Sequence, residues 1–277
     1  MTHSRLKAGC LVVAVLAVPA ATIGSSAVAA PKKRPTIVMS GSTSVAPLAR
    51  KLAKRYLKQY PGRVKFRLLQ GGSDVGIADV AAGRSTIGNS SRDPKPSEAG
   101  GIVFNKIARD AVCIVTHPSN QIANLSQGQI QDIFSGRVRS WSKVPGAKVS
   151  GAIDLVVRTA ASGTQDAFQN IFMGQQLRVA GSATTKSSNG LQAQAIKSNP
   201  NAIGYASFNF VGGLHNVPYR GVRCSLRSAK SGTYGGGRNF FMVTRGKPRG
   251  AVKSFIRFIR TGAAAKRIIA TNWVPLR

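Results

Sequence analysis

The sequence predicts an α/β fold, because strand-like apolar segments alternate with helical ones. The segment "TIVMSG" (residues 36–41) has the composition of a buried strand, and a hydroxyl-rich turn joins it to the helical pattern of "VAPLARKLAKRYLKQYPG". "VKFRLLQ" is a second strand, and the glycine-rich "GGSDVG" opens the helix "IADVAAG" after it. "STIGNSSRD" repeats the strand and polar turn. Such repeats place polar turns at the carboxyl ends of strands, where α/β proteins bind ligands.

The alternation continues through the rest of the chain. "DAVCIVTHP", from Asp110, is predicted to be a buried strand, and "SQGQIQDIFSGRVRSW" a helix that ends at Gly136. "IDLVVRT" is a strand that delivers Arg158, and "QDAFQNIFMG" is a helix. "PNAIGYASF" is a turn and a strand, and "GGGRNFFMVTRGKPRG" is a loop, a strand and a turn. "AVKSFIRFIRTGAAAKRIIATN" predicts a final amphipathic helix.

Residues 1–30 are predicted to be a secretory signal peptide. Arg5 and Lys7 precede the apolar run "CLVVAVLAVPAATIG", and the small-residue stretch "SSAVAA" follows it. We expect cleavage near Ala29 or Ala30 and a secreted, periplasmic or cell-wall-associated protein. The alternative is an N-terminal membrane anchor, to which the proline and small residues are less suited.

The composition is strongly basic. There are 40 Lys and Arg residues against 8 Asp and Glu residues, a formal net charge of +32. Such a charge attracts small anions and favours weak contact with acidic cell-wall polymers. The basic residues form no long run and are not interleaved with aromatic residues that could stack on bases. We therefore predict no specific nucleic-acid partner, and we expect a monomer.

Two of the three cysteines, Cys113 and Cys224, follow the predicted signal peptide. Outside the cytosol they could form a disulfide or remain separate buried thiols, and the sequence leaves both interpretations open. Neither they nor His117 and His215 have the spacing of metal ligands. We predict no metal site and no cofactor.

Four hydroxyl-rich turns are candidate parts of one binding site. Three of them precede predicted helices, where free backbone N–H groups and the positive end of the helix dipole favour anions. Each alone also fits an ordinary helix cap. Their coincidence with Arg158, whose guanidinium suits tetrahedral oxyanions, favours an anion site. The turns are Ser42-Thr43-Ser44, Gly72-Ser73-Asp74, Ser90-Ser91-Arg92 and Ser162-Gly163-Thr164.

The order and spacing of these segments resemble the PstS-like phosphate-binding proteins of ABC transporters. The resemblance extends over residues 36–277, and "LSQGQIQDIFSGRVRSW" is its most specific stretch. It implies a type 2 periplasmic-binding-protein fold, in which two α/β lobes, each a mixed sheet flanked by helices, are joined by two hinge strands. Lobe 1 would comprise residues 31–116 and 239–277, and lobe 2 residues 117–238.

The resemblance also implies a function and a set of ligands. An anion held between the lobes would favour the closed form, which an ABC permease could recognise. The implied function is therefore delivery of inorganic phosphate to an ABC importer. The matching positions are Thr43, Ser44, Ser73, Ser91, Arg158, Ser162, Gly163 and Thr164, with Ser42, Asp74 and Arg92 as further candidates.

One departure from the family concerns ligand selectivity. Well-characterised members carry an aspartate in the third turn, and it accepts the proton of hydrogen phosphate, which sulfate lacks. Here Ser91 stands at that position, and Arg92 follows it either to touch the anion or to bridge the lobes. Between Arg158 and Ser162, Thr-Ala-Ala replaces an acidic residue that family members can carry. Phosphate stays the favoured ligand, with sulfate or molybdate as alternatives.

Two other classes of function fit the sequence less well. A secreted hydrolase using Ser162 would need a general base, and the sequence offers neither a convincing base nor a Gly-X-Ser-X-Gly nucleophile elbow. A polyanion-binding cell-wall protein has only the net charge in its favour. We therefore predict a binding protein and not an enzyme.

Overall fold

The computed structural model describes residues 1–3, 9, 34–98 and 100–276. Nearly all of the predicted signal peptide lies outside the described residues. Within the described ranges, no helix has the length and apolar character needed to cross a bilayer.

Strands and helices alternate along most of the chain as the sequence predicts, but two strands and two helices between residues 184 and 231 were not predicted. The strands are β1 (Thr36–Gly41), β2 (Lys65–Leu68), β3 (Ile87–Ser90), β4 (Ile102–Thr116), β5 (Asp154–Arg158), β6 (Thr184–Lys186), β7 (Ala202–Ser207), β8 (His215–Asn216) and β9 (Gly237–Arg245). The helices are α1 (Ala46–Gln59), α2 (Ser73–Ala81), α3 (Gln127–Phe134), α4 (Gly163–Phe168), α5 (Asn189–Lys197), α6 (Leu226–Ser231), α7 (Gly250–Thr261) and α8 (Ala263–Asn272).

Two predicted elements differ from the observed ones. Strand β4 begins at Ile102 and not at Asp110, because "IVFNKIAR" pairs with β9 despite its polar residues. The predicted C-terminal helix is two helices, since the chain is extended at Gly262, where a Cβ would lie 2.5 Å from the Phe258 carbonyl oxygen.

The strands form one continuous arrangement in the order β2-β1-β3-β9-β4-β7-β5-β6, with β8 paired to β4. The long strand β4 pairs with β9 along its first part and with β7 along its second. The register of the β4–β9 pair shifts between Lys106 and Ala108. Strands β4 and β9 therefore connect the two halves of the arrangement.

Each half has its own hydrophobic core. One core draws its residues from 37–108 and 240–273, and the other from 111–234 with Val274. The molecule is thus two-lobed, and we keep the names lobe 1 and lobe 2 for the halves built on these two cores. The lobe boundaries at 116/117 and 238/239 stay a prediction.

The two cysteines left open by the sequence form a disulfide. Cys113 lies in β4 and Cys224 lies just before α6, and both are buried in lobe 2. Their sequence separation is 111 residues. A cross-link that closes so long a loop restricts the unfolded chain strongly, so it should stabilise the fold.

Replacing both Cys113 and Cys224 with alanine should lower the free energy of unfolding by about 3 kcal/mol. Urea unfolding of the oxidised protein and of the double variant would measure the difference. The unsubstituted protein treated with a reductant is the control, and it should unfold near the midpoint of the variant. Equal unfolding midpoints for the oxidised protein and the variant would contradict this expectation.

Candidate anion-binding site

The four predicted turns meet between the lobes. Ser42 Oγ donates a hydrogen bond to Ser91 Oγ at 2.9 Å, and Ser73 Oγ lies 3.3 Å from Ser91 Oγ. Across the cleft, Ser44 Oγ lies 2.9 Å from Thr164 Oγ1. All five residues are buried. The first three turns therefore cluster on lobe 1, and the fourth reaches them from lobe 2.

Local structure explains why these hydroxyl groups converge. Strands β1 and β3 pair in parallel, so their carboxyl ends bring the first and third turns together. On lobe 2, β5 ends at Arg158 and α4 begins at Gly163. Ser162 caps α4, because its Oγ accepts hydrogen bonds from the backbone N–H groups of Thr164 at 3.1 Å and Gln165 at 3.3 Å.

Arg158 is a buried cation at the end of β5, four residues before Ser162 of the fourth turn. Its side chain is buried, and on lobe 2 it donates from Nε to the Lys186 carbonyl oxygen at 3.0 Å and from Nη2 to the Ser187 carbonyl oxygen at 2.8 Å. Its Nη1 is buried and has no hydrogen-bond partner among the described residues. Burial, with a smaller contribution from the positive charge of Arg238, lowers the pKa of Arg158 to about 10. The guanidinium is still protonated at neutral pH, and an anion would stabilise it.

A second buried arginine, Arg238, was missed by the sequence analysis. It lies at the start of β9, and it donates from Nη1 to Thr164 Oγ1 at 2.9 Å and from Nη2 to Ser44 Oγ at 3.0 Å. One guanidinium therefore touches a turn hydroxyl group from each lobe. On its other side, Arg238 pairs with Asp110 Oδ2, with Nε at 3.0 Å and Nη2 at 2.8 Å.

Asp110 is the only carboxylate among the described residues that pairs with this guanidinium. Its Oδ2 also accepts a hydrogen bond from Ser207 Oγ at 2.8 Å, and its Oδ1 is buried without a partner in the described part of the chain. Asp110 and Arg238 face each other in register on β4 and β9. The sequence contains a signal for this pair, because each residue stands at the start of an apolar run: Asp110 in "ARDAVCIV" and Arg238 in "GGRNFFMV".

Asn189, at the start of α5, is the other residue that the sequence analysis missed. Its Nδ2 donates to Thr43 Oγ1 at 3.0 Å and to Ser44 Oγ at 2.8 Å. Because α5 packs with β5 and β7 in lobe 2, these hydrogen bonds cross the cleft. The backbone N–H of Asp74 crosses it as well, to the Ala161 carbonyl oxygen at 3.1 Å. The lobes are therefore in contact, as in a closed form.

Asp74 and Arg92 take part in a different interaction. Arg92 donates from Nε to Asp74 Oδ1 at 2.7 Å and from Nη1 to Glu98 Oε2 at 2.9 Å, and its Nη2 pairs with Glu98 as well. All of these acceptors belong to lobe 1. Arg92 therefore ties the second and third turns together, and it does not bridge the lobes. This geometry gives no support to Arg92 or the Asp74 carboxylate as anion ligands.

Hydrogen-bond accounting fixes the direction of one hydroxyl group. Ser44 Oγ accepts from both Arg238 and Asn189, so both of its lone pairs are used and its proton goes to Thr164 Oγ1. Thr164 Oγ1 also accepts from Arg238 Nη1 and is then saturated as an acceptor. The proton of Thr164 has no acceptor among the described residues, which leaves this hydroxyl group as a donor.

The serine cluster of Ser42, Ser73 and Ser91 is more versatile. Ser91 Oγ accepts from Ser42 Oγ, and Ser73 Oγ accepts from the backbone N–H of Ser91 at 3.0 Å. Either of the two hydroxyl groups of Ser73 and Ser91 can donate to the other. In both cases one of them keeps a free proton and the other keeps a free lone pair. Ser73 and Ser91 together therefore offer one donor and one acceptor.

Comparison with known proteins places this geometry in a family. The family model of the PBP superfamily domain matches residues 26–261. The chain belongs to the PBP superfamily. The structure of a putative phosphate ABC transporter substrate-binding protein from Clostridium perfringens, with bound phosphate, is 30% identical to this PBP-superfamily protein. Their TM-score is 0.82, and the match covers 87% of this chain and 100% of that one.

Two further similar proteins support this assignment to the family. An ABC-type phosphate transport receptor from Vibrio cholerae is 27% identical with a TM-score of 0.71, and the match covers 87% of this chain and 100% of that one. The phosphate-binding protein PstS of Bacillus subtilis is 24% identical over 247 residues, which are 87% of this chain and 81% of that protein. The predicted PstS-like family and two-lobed fold are confirmed, and so is the prediction of a solute-binding protein that is not an enzyme.

Proposed function

We propose that the protein is exported, binds inorganic phosphate between its lobes and delivers it to an ABC importer. The observation that carries the proposal is the buried guanidinium of Arg158, whose Nη1 has no hydrogen-bond partner and which has no carboxylate partner in the described part of the chain. Hydroxyl groups from both lobes converge on the same cleft. The names of the family's relatives support phosphate as the ligand.

The charges of the cleft favour an anion. Arg158 and Arg238 are both buried, and Asp110, the one carboxylate among the described residues that pairs with either of them, is bound to Arg238. Arg158 is then a buried positive charge without a counter-ion, which is unfavourable, and a bound anion would offset it. The cleft holds its hydroxyl groups close together, which suits a small tetrahedral anion.

The serine cluster supports phosphate over sulfate even though the third-turn aspartate is absent. Its free lone pair can accept the proton of hydrogen phosphate, and its free hydroxyl proton can donate to a phosphate oxygen. Sulfate has no proton at neutral pH, so the same lone pair would face an oxygen lone pair. A ligand that leaves a polar group of the site without a hydrogen-bond partner binds less tightly than one that pairs with that group.

Calorimetric titration of the mature protein with phosphate, sulfate and molybdate tests the proposal. We expect saturable one-to-one binding of phosphate, with weaker binding of the other two anions. The absence of saturable phosphate binding, or tighter binding of sulfate or molybdate, would overturn the proposal.

Two further measurements test the export and the oligomeric state. Mass spectrometry of the exported protein would test cleavage near Ala29 or Ala30, and the molecular mass of the protein in solution would test the expected monomer.

Gly163→Ala should weaken phosphate binding by about 1–3 kcal/mol, because overpacking prevents full closure. A Cβ at this position would overlap Ser73 Oγ and lie 2.8 Å from Ser91 Oγ, both on the opposite lobe. Calorimetry measures the change. Gly181→Ala is the control, since a Cβ there has no neighbour within 4 Å among the described residues. Equal phosphate affinities for the two variants would contradict direct contact of these turns in the closed form.

A further inference from the structure

The carboxylates are distributed very unevenly along the chain. All 8 Asp and Glu residues lie between Asp74 and Asp166, so residues 1–73 and 167–277 contain none. The fold brings parts of these two segments together, because α1 packs against both α7 and α8. Tyr56 of α1 contacts Phe255 and Phe258 of α7, with ring centroids 5.3 Å apart in each pair. One helical layer of lobe 1 is therefore built without a carboxylate.

This layer carries ten cationic side chains. Five lie on α1, three on α7 and two on α8, and all except the half-buried Arg55 are exposed. In the described part of the chain, none of the ten takes part in an ion pair, whereas Arg84 and Arg137 on other surfaces pair with neighbouring aspartates. We call this surface the basic helical face; its cations are Arg50, Lys51, Lys54, Arg55, Lys58, Lys253, Arg257, Arg260, Lys266 and Arg267.

Two neighbouring cavities on the basic helical face share the lining residues Arg257 and Thr261. The larger, of about 600 Å³, is lined by four of its cations, Lys253, Arg257, Arg260 and Lys266, with Lys247 as a fifth. The smaller, of about 150 Å³, lies between α1 and α7 and shares Arg257 with the larger. No carboxylate lines either cavity among the described residues. Together they form a cationic track across α7 towards α1.

We propose that the basic helical face docks a linear polyanion with a phosphodiester backbone, such as a poly(glycerol phosphate). The 12 residues of α7 alone extend over about 18 Å. One small ion cannot contact cations that are spread over that distance, whereas a chain of repeated phosphates can contact several of them at once. Charge complementarity along the track therefore selects a polymer.

Other macromolecules with negative charge fit this face less well. The aromatic rings of Tyr56, Phe255 and Phe258 are buried in the helical layer, so they are not available to stack on nucleic-acid bases. The half-buried Tyr60 lines the smaller cavity, but one ring does not form the series of stacking platforms that single-stranded nucleic acids use. A helix that binds a lipid surface inserts several exposed apolar side chains into it. Helix α1 exposes one large apolar side chain, Leu57, and α7 and α8 expose none.

The docking surface and the anion cleft are separate. The residues that line the two cavities include none of the predicted phosphate ligands and neither Arg238 nor Asp110. A polyanion held on the basic helical face would retain the protein near the cell surface while the cleft stays free to bind and release its ligand. Polymer binding and phosphate binding should therefore be independent.

A pair of charge-matched variants tests the proposal. The first replaces Lys253, Arg257, Arg260 and Lys266 with glutamine, and the second replaces the exposed lobe 2 residues Arg137, Arg139, Lys143 and Lys148. Each variant loses four positive charges. Fluorescence titration with labelled poly(glycerol phosphate) at several salt concentrations gives the affinity and its salt dependence, and phosphate calorimetry of the same samples reports folding and an intact cleft.

We expect the first variant to lose about tenfold or more in polymer affinity and to show a flatter salt dependence, with the second variant within about twofold of the unsubstituted protein. Equal losses in both variants would show that net charge alone attracts the polymer, and would overturn the proposal. It would also be overturned if the unsubstituted protein bound an oligothymidylate or an anionic vesicle more tightly than the poly(glycerol phosphate). Unchanged phosphate affinity in both variants is expected if the two sites are independent.

Discussion

Replacing Arg158 with alanine should lower the affinity for phosphate by about 2–5 kcal/mol, or roughly 30- to 5,000-fold. The side chain is 2% exposed, and two of its nitrogens are fixed by backbone carbonyl groups of lobe 2 while Nη1 is left free. The guanidinium is therefore oriented before the ligand arrives. Its loss removes a charge-assisted hydrogen bond without a substitute from the same strand.

The free energy of unfolding distinguishes this binding role from a structural one. Without a ligand, Arg158 is a buried charge with no counter-ion in the described part of the chain, so its removal should not destabilise the unliganded protein. Phosphate calorimetry and urea unfolding of the same sample measure both quantities. Arg67→Ala, which removes an exposed arginine of β2, is the control. Undiminished phosphate affinity in Arg158→Ala would show that the site is misplaced.

Asp110→Asn should lower the free energy of unfolding by about 3–5 kcal/mol, because it leaves Arg238 buried without its carboxylate. The amide has nearly the same shape, so the loss reports charge rather than packing. Phosphate should recover part of this stability, since a bound anion would supply negative charge near Arg238. This recovery should exceed the ordinary stabilisation by phosphate of the unsubstituted protein.

Urea unfolding with and without phosphate measures both effects of the Asp110 substitution. Asp154→Asn is a suitable control, because Asp154 is an exposed carboxylate of β5 and its removal changes the net charge equally. Similar losses of stability in the two variants would mean that the Asp110–Arg238 pair is not an important stabilising contact. Complete loss of folding in Asp110→Asn, recovered in an Asp110→Leu, Arg238→Met double variant, would still support the pair.

The site was predictable where its signals are local. The hydroxyl-rich turns and Arg158 lie at strand ends that the sequence marks by its own composition, so their convergence follows from the α/β pattern. Arg238 was missed because its partner Asp110 is 128 residues away, and only the register of β4 with β9 brings them together. Asn189 was missed for the same reason, since its contact with Thr43 spans 146 residues.

The errors in the predicted elements have similar causes. The start of β4 was placed too late because "IVFNKIAR" interrupts its apolar residues with polar ones, and pairing with β9 outweighs that pattern. Two roles for Arg92 stayed open because its acceptors, Asp74 and Glu98, come from two different turns. The disulfide was undecided because the two cysteines are far apart in sequence.

The disulfide also has a consequence for how the molecule would open. By fastening β4 to lobe 2 at Cys113, it confines any bending of that strand to the residues before it, around the register shift and Asp110. Arg238 faces Asp110 in this same stretch of the sheet, whereas Arg158 ends a strand of lobe 2. If the lobes separated by bending there, Arg158 would move away from the hydroxyl groups of lobe 1, and the two halves of the anion site would come apart.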